Sequence, residues 1–147
     1  LWRQRCTVGK DWMVMPYHTT ANLFEVGDFT SHAGLPLAWK IECDAIRPEW
    51  WHGLARMVMD YQTGPFCRAE GIPRGGVAFG EAMNQYGTGN PKDPVLIVDD
   101  VYTTGTSFRE YCDKHYPDEV VIKWCVFARK PTTDGVNALF TMPPEVV

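Results

Sequence analysis

Short apolar segments alternate with helix-like segments along the second half of this chain. Residues 95–98 and 119–128 are largely aliphatic or aromatic, and residues 66–69 and 137–142 form shorter segments of the same kind. The segments between them repeat apolar residues at helical spacing, over 77–86 and 106–116. Because strands that alternate with helices build parallel sheets, the pattern predicts an α/β fold with a parallel sheet of about five strands.

The pattern before residue 66 predicts a short helix over 21–26 and a strand over 37–43. A longer helix is predicted to begin at Arg47-Pro48, since proline suits the first turn of a helix. Four large apolar residues recur in it at helical spacing: Trp50, Leu54, Met57 and Tyr61. We expect these four side chains to face the core of the protein, and not to form a stacking platform for bases.

Composition excludes several classes of protein. The chain has 147 residues, 45% of them hydrophobic, which supports one domain with a proper core. Its net charge of −4 provides no basic surface for nucleic acid. We expect no contact with membranes, because the chain has neither an apolar run long enough to cross one nor a signal-peptide pattern. The five scattered cysteines lack a Cys-x-x-Cys pair, which favours reduced thiols, a cytoplasmic location and no zinc site.

The strongest chemical signal follows the apolar run at 95–98. Asp99 and Asp100 come directly after it, and residues 103–107 read Thr-Thr-Gly-Thr-Ser before a predicted helix. Hydroxyl groups, a glycine and the N-terminus of a helix suit a phosphate group, while paired carboxylates suit ribose hydroxyls or a divalent metal. No Gly-Lys-Thr/Ser follows, so this is not a P-loop. The alternative is a solvated acidic strand end before an ordinary capped helix.

A second glycine-rich loop precedes another predicted helix. Residues 71–76 read Gly-Ile-Pro-Arg-Gly-Gly after a short apolar segment. Glycines allow backbone N–H groups to approach an anion closely, and Arg74 could reach a phosphate oxygen. Two such loops in one chain predict two phosphate sites at the same edge of the sheet.

These segments resemble known motifs. Residues 95–107 resemble the phosphoribosyl-pyrophosphate (PRPP) motif of type I phosphoribosyltransferases, and residues 70–76 are similar to the pyrophosphate loop of that family. Residues 29–44 resemble the N-terminal signature of its orotate branch. The resemblance implies a single domain over 1–147 with a Rossmann-like central parallel sheet flanked by helices. A small hood-like segment would occupy 1–46, and the core would occupy 47–147.

The resemblance also implies a reaction and roles for residues. The family transfers the phosphoribosyl group of PRPP to a nitrogenous base, here an orotate-like base, and releases pyrophosphate. Asp99 and Asp100 would be the catalytic pair and would bind the ribose hydroxyls, directly or through Mg²⁺ carried by PRPP. The other implied contacts are Thr103, Thr104, Gly105, Thr106 and Ser107 for the 5′-phosphate; Glu70, Gly71, Arg74, Gly75 and Gly76 for pyrophosphate; and His32, Lys40 and Lys130 for the base. Homodimers are usual in the family.

Two departures from the family pattern keep other functions open. Glu70 stands where the orotate enzymes carry a lysine, so its carboxylate would repel pyrophosphate unless Arg68 or Arg74 neutralised it. Residues 87–94 leave no room for the long mobile loop that closes over the site in those enzymes. The alternatives are a non-catalytic module that binds PRPP or a nucleotide, a purine phosphoribosyltransferase, and a hydrolase of an N-glycosidic bond. A further alternative is an interaction protein that uses residues 1–18 and Trp50-Trp51.

Overall fold

A computed structural model describes residues 23–30, 34 and 36–142 of the chain. They belong to two compact units, of which the first ends at Ala45 and the second begins at Ile46. The predictions for residues 1–18 and for His32 lie outside the described residues. Within the described ranges, no helix is both long enough and apolar enough to cross a membrane.

The first unit contains an antiparallel hairpin. Strand β1 (Phe24–Thr30) pairs with β2 (Pro36–Ile41), and a 3₁₀ turn (Cys43–Ala45) follows. The helix predicted over 21–26 is therefore wrong, since residues 24–26 belong to β1. Cross-strand pairing decides this segment, because Glu25 lies opposite Lys40 and forms an ion pair with it at 3.4 Å.

The second unit contains the parallel sheet that the pattern predicts, with strands in the order β3-β4-β5-β6. Its elements are α1 (Pro48–Met59), β3 (Ala69–Gly71), α2 (Val77–Asn84), β4 (Leu96–Tyr102), α3 (Thr106–His115), β5 (Ile122–Ala128) and β6 (Val136–Thr141). The α/β class is confirmed, with four parallel strands in the described part of the chain where about five were expected.

The first strand of this sheet begins later than predicted. Residues 66 and 67 were expected to belong to it, but β3 starts at Ala69. The backbone of Phe66 and Cys67 instead pairs with the loop before β4, since Thr88 donates to the Phe66 carbonyl and Cys67 donates to the Pro94 carbonyl, both at 2.8 Å. These hydrogen bonds fix the loop before β4 to the segment that precedes β3.

The core lies on both faces of β4 and β5. Residues 96–98 and 125–126 have no exposed surface, as expected for strands covered on both sides. Helix α2 contributes Phe79 and Met83, which are also fully buried. It approaches β3 closely at Gly80, where a Cβ atom would lie 2.5 Å from the backbone nitrogen of Gly71. Helix α2 begins at Val77, directly after the glycine loop at 71–76, and packs closely against β3.

Helix α1 buries a different face from the one predicted. Trp51, Ala55 and Val58 are 6%, 0% and 0% exposed, and the Trp51 ring stacks on Phe79 with centroids 5.8 Å apart. The residues predicted to face the core include Trp50 and Tyr61, which are 52% and 68% exposed. Both sets of residues are apolar at helical spacing, so the sequence pattern alone cannot choose between them.

Candidate active site

Three loops of the predicted site lie at the carboxyl edge of the sheet. They follow β3, β4 and β5, which run parallel, so their carboxyl ends share one edge. Hydrogen bonds join the residues after β3 and β5 to strand β4: the Ile72 N–H donates to the Val98 carbonyl at 2.8 Å, and the Arg129 N–H donates to the Tyr102 carbonyl at 2.9 Å. The fold thus brings the two glycine-rich segments and the strand end at Lys130 to one side of the sheet.

The loop after β3 touches the acidic pair. A Cβ atom at Gly75 would overlap the carboxylate of Asp100, and one at Gly76 would lie 2.7 Å from the Val98 carbonyl oxygen. Glycine at both positions therefore allows the loop backbone to pack against β4. The prediction that the two motifs meet is confirmed for this contact between Gly75 and Asp100.

The two aspartates have different environments. Strand β4 continues through both of them to Tyr102, and Asp99 is only 7% exposed, whereas Asp100 is partly exposed. Each carboxylate accepts a backbone N–H from the next residue, at 2.9 Å for Asp99 and 2.7 Å for Asp100. Burial, and then the nearby Asp100, raise the pKa of Asp99 to about 9. Asp99 is therefore a neutral carboxylic acid at pH 7, next to a more accessible carboxyl group.

The raised pKa of Asp99 predicts a pH-dependent effect of Asp99→Asn on stability. The folded pKa lies above the unfolded value of 3.8, so ionisation of Asp99 progressively destabilises the parent as pH rises from about 4 to about 9. Asparagine stays neutral and keeps an oxygen for the Asp100 N–H. We expect the variant to melt at least about 3 °C above the parent at pH 8.5, and the difference to shrink towards pH 4. Thermal melts across this range, with ligand absent, measure it; a difference that does not change with pH would contradict it.

The loop after β4 has the geometry of an anion site. Gly105 has a φ of 84°, a left-handed conformation that favours glycine, and it directly precedes α3. No side chain caps the start of this helix. The hydroxyl groups of Thr104 and Thr106 lie 2.8 Å apart, and Thr106 and Ser107 are exposed. A helix N-terminus and adjacent hydroxyl groups can together donate hydrogen bonds to a phosphate.

Arg109, in the first turn of α3, is a cation beside this loop that the motif analysis did not identify. Its guanidinium donates to the Thr106 hydroxyl at 3.3 Å and to the Thr104 carbonyl at 3.5 Å, and it pairs with Asp134 at 3.4 Å. Asp134 lies in the turn before β6. The same turn contacts the end of β4, where the hydroxyl groups of Thr133 and Tyr102 lie 3.0 Å apart. A sequence signal existed, since Arg109 lies three residues after Thr106 and thus on the same side of the helix.

Glu70 makes contacts that the motif analysis could not foresee. Its carboxylate accepts a hydrogen bond from the Tyr111 hydroxyl at 3.0 Å and another from the Tyr116 hydroxyl, and it pairs with Arg68 at 3.2 Å. Burial first, and then the bond to Glu70, raise the pKa of Tyr111. The expected neutralising cation is therefore Arg68, and the carboxylate is held towards residues of α3 and its C-terminus. A role for Glu70 in binding pyrophosphate stays a prediction.

Of the residues predicted to bind the base, Lys130 belongs to the second unit and Lys40 to the first. Lys130 is exposed after β5, next to Arg129, which is 8% exposed and whose pKa burial lowers. Lys40 lies in the first unit, where it pairs with Glu42 at 3.6 Å and lies over the Phe29 ring at 5.0 Å. Arg74, predicted for pyrophosphate, is exposed in the loop after β3.

The connection between α2 and β4 is short. Residues 85–95 contain no helix or strand in the structure, and hydrogen bonds hold them in place. The Thr88 hydroxyl donates to Asp93 at 2.6 Å, and the Gly89 N–H donates to the Cys67 carbonyl at 2.9 Å. The connection is therefore short and held by hydrogen bonds to its own residues and to the segment before β3.

The described residues could hold a metal ion only together with a bound substrate that supplies further oxygen atoms. Among them, no group of three or more His, Cys, Asp or Glu side chains is arranged to bind a metal. Mg²⁺ commonly takes one or two carboxylates, substrate phosphates and water. Asp100, partly exposed beside the glycine loop, fits that donor set, and Asp99 could add a second oxygen after losing its proton.

Comparisons with known proteins were made by sequence and by structure. No family model and no curated protein matches the sequence. The structure is similar to the UMP synthase of Leishmania donovani, with a TM-score of 0.65, 19% identity and coverage of 81% of this chain and 33% of that one. It is also similar to the orotate phosphoribosyltransferase of Aeropyrum pernix, with a TM-score of 0.60, 17% identity and coverage of 81% and 88%.

A third similar structure is the Mycobacterium tuberculosis orotate phosphoribosyltransferase in complex with inorganic phosphate. It has a TM-score of 0.57 and 13% identity, with coverage of 80% of this chain and 87% of that one. The chain therefore spans about a third of the UMP synthase and most of each orotate enzyme. These similarities show that the chain has the type I phosphoribosyltransferase fold in the form found in orotate phosphoribosyltransferases.

Proposed function

We propose that this chain is a phosphoribosyltransferase that joins a nitrogenous base to the ribose of PRPP and releases pyrophosphate. The observation that carries the proposal is the packing of the Asp100 carboxylate against Gly75, at the edge where a second, hydroxyl-rich loop opens α3. One ligand that has a phosphate, a ribose and a pyrophosphate would contact all three features. The orotate enzymes of similar fold support an orotate-like base.

In the proposed reaction, a ring nitrogen of the base forms a bond to the ribose C1 as the bond from C1 to pyrophosphate breaks. Pyrophosphate keeps the electron pair of the broken bond, and the base loses a proton to solvent. The neutral carboxyl of Asp99 can donate to one ribose hydroxyl, while Asp100 can accept from another. Mg²⁺, bound with PRPP, would neutralise charge on the departing pyrophosphate. The protein mainly positions the reactants and stabilises charge.

Arg109 extends the proposed 5′-phosphate site. Replacing it with glutamine removes the charge but keeps a hydrogen-bond donor near Thr106. We expect the affinity for ribose 5-phosphate to fall about tenfold, since hydrogen bonds to charged groups contribute about 1.5–3 kcal/mol. Calorimetric titration with ribose 5-phosphate measures it, with Lys114→Gln in the last turn of the same helix as the control. Equal affinity in parent and Arg109→Gln would exclude Arg109 from the site.

Cations after β5 favour a base that carries a negative charge. Arg129 and Lys130 follow the strand in sequence, and the Arg129 backbone is bonded to the end of β4 at Tyr102. The exposed side chain of Lys130 could pair with a carboxylate on the base. Orotate has such a carboxylate, whereas the common purine bases are neutral, so this observation supports the orotate-like substrate over the purine alternative.

A non-catalytic module that binds PRPP or a nucleotide is the second candidate. The short connection over 85–95 and the engagement of Glu70 by Arg68 favour it, since neither supplies a group that would close over departing pyrophosphate. Without a group that closes over the site, water could also reach the reacting ribose.

The deciding experiment measures pyrophosphate release from Mg-PRPP with orotate, hypoxanthine, guanine, adenine or no base. Release that depends on orotate would establish the proposed transferase, and release that depends on a purine would correct its substrate. Release without any base would indicate hydrolysis of PRPP. No release, with PRPP still bound in calorimetry, would identify the binding module. Neither release nor binding would overturn both candidates.

A further inference from the structure

The side chain of Glu70 joins strand β3 to helix α3. Glu70 is the middle residue of β3, and Gly71, the first residue of the glycine loop, follows it directly. Its carboxylate accepts a hydrogen bond from the hydroxyl of Tyr111, in α3, at 3.0 Å and another from the hydroxyl of Tyr116, directly after α3. The carboxylate therefore connects the strand that precedes the glycine loop with the helix that follows the hydroxyl-rich loop at 103–107.

The groups that bind this carboxylate are themselves held in place. Arg68 pairs with it at 3.2 Å, and the same guanidinium nitrogen donates to the Tyr116 hydroxyl at 2.9 Å. Both tyrosine rings pack against the core cluster that includes Ile72 of the glycine loop. Burial first, and then the bond to the carboxylate, raise the pKa of Tyr111, so its hydroxyl keeps the proton that it donates. Hydrogen bonds to a carboxylate are among the stronger ones in proteins, so this network can hold β3 and α3 together.

Strand β3 depends on side-chain contacts for its position. It has three residues and lies at the edge of the sheet, with β4 as its partner strand. Helix α2 approaches it closely where Gly80 meets Gly71. The Asn84 side chain, at the end of α2, also accepts the Ala69 N–H at 3.0 Å. The Glu70 carboxylate adds a contact to α3, the helix that carries the other loop of the candidate site.

These contacts give Glu70 a role other than the contact with pyrophosphate that the family resemblance implies. A carboxylate and a pyrophosphate both carry negative charge and both accept hydrogen bonds, so neither stabilises the other directly. The two oxygens of Glu70 are instead engaged by two hydroxyl groups and a guanidinium. The side chain thus acts between two elements of the fold.

We propose that Glu70 is a positioning residue, which sets the separation of the glycine loop and the hydroxyl-rich loop through its bonds to Tyr111 and Tyr116. This role rests on the proposed function, because the separation of the loops matters for a ligand that contacts both of them, as PRPP would. The affinity of a ligand that bridges two sites depends on the distance at which those sites are held. A ligand that contacts one loop lacks this dependence.

The test compares one ligand that spans both loops with two ligands that each contact one loop. The double variant Tyr111→Phe with Tyr116→Phe keeps both rings and removes both hydroxyl groups. We expect its dissociation constant for Mg-PRPP to rise about tenfold, and those for ribose 5-phosphate and Mg-pyrophosphate to change less than about twofold. Calorimetric titration of the full chain measures all three. Tyr61→Phe is the control, since Tyr61 is 68% exposed in the turn after α1, and it is expected to bind each ligand like the parent.

Glu70→Gln examines the carboxylate itself. Glutamine keeps one oxygen that can accept a tyrosine hydroxyl, so we expect it to weaken Mg-PRPP binding less than Glu70→Ala does. Neither variant is expected to change the affinity for Mg-pyrophosphate alone. A change in that affinity in Glu70→Gln that is absent from the double tyrosine variant would place the carboxylate against pyrophosphate and overturn the positioning role.

Other outcomes would also overturn it. A double variant that binds Mg-PRPP like the parent would exclude positioning and leave the proposed function standing. Equal losses for all three ligands would show a general structural effect. A parent that does not bind Mg-PRPP would overturn the proposed function and this role with it. Circular dichroism checks folding, and the single variants Tyr111→Phe and Tyr116→Phe are measured in the same way if the double variant does not fold.

Discussion

Replacing Asp100 with asparagine is expected to weaken binding of Mg-PRPP about a hundredfold while leaving the fold intact. The Asp100 carboxylate lies against the glycine loop at Gly75 and is partly exposed, so it can contact both a ribose hydroxyl and a metal ion. Loss of its charge removes one metal ligand and one charge-assisted hydrogen bond, and each is a contact to a charged group of about 1.5–3 kcal/mol. The asparagine oxygen can still accept the Val101 N–H that Asp100 accepts now. Calorimetric titration of Mg-PRPP into each protein measures the change.

Asp118→Asn is the control for this experiment. Asp118 is exposed after α3, so its substitution makes the same change of charge away from the loop contacts. We expect the control to bind like the parent. The double variant Asp99→Asn with Asp100→Asn is expected to lose affinity as well, with little loss of folding. Binding of Mg-PRPP at parental affinity by Asp100→Asn or by the double variant would contradict the role assigned to this pair.

The second large effect is expected from Gly71→Ala at the end of β3. A Cβ atom at this position would overlap the Gly76 carbonyl and lie 2.7 Å from the Val77 Cα. Both neighbours are backbone atoms, so relief of the overlap requires the loop to move away from the strand. We expect the free energy of unfolding to fall by about 2–4 kcal/mol, the range typical of overpacked sites that force backbone shifts. Urea unfolding followed by circular dichroism measures it.

Gly64→Ala separates this steric effect from the general effect of replacing glycine. A Cβ atom at Gly64 would have only an ordinary contact, 3.8 Å from the Gln62 side chain. We expect the free energy of unfolding of this control to change by no more than about 1 kcal/mol. A Gly71→Ala variant as stable as this control would show that the loop does not need its observed close approach to β3.

The sequence by itself predicted the two loops of the candidate site and their order along the chain. The PRPP-like segment at 95–107 and the glycine loop at 71–76 could be recognised because each carries its chemistry in consecutive residues. The alternation of strands and helices then placed both loops at one edge of a parallel sheet, since parallel strands share their carboxyl ends. The short connection before β4 could also be predicted, because the number of residues between two motifs is visible in the sequence.

Only the tertiary structure decided the features that depend on distant residues. The segment at 24–26 is a strand because Glu25 and its neighbours pair with β2, and α1 buries Trp51 because Phe79 lies opposite it. Glu70 is held by Tyr111 and Tyr116, more than forty positions away in the chain. The difference between Asp99 and Asp100 likewise arises from the packing around β4, which desolvates one carboxyl and leaves its neighbour accessible. Such contacts bring together residues that are far apart in sequence, so no local pattern records them.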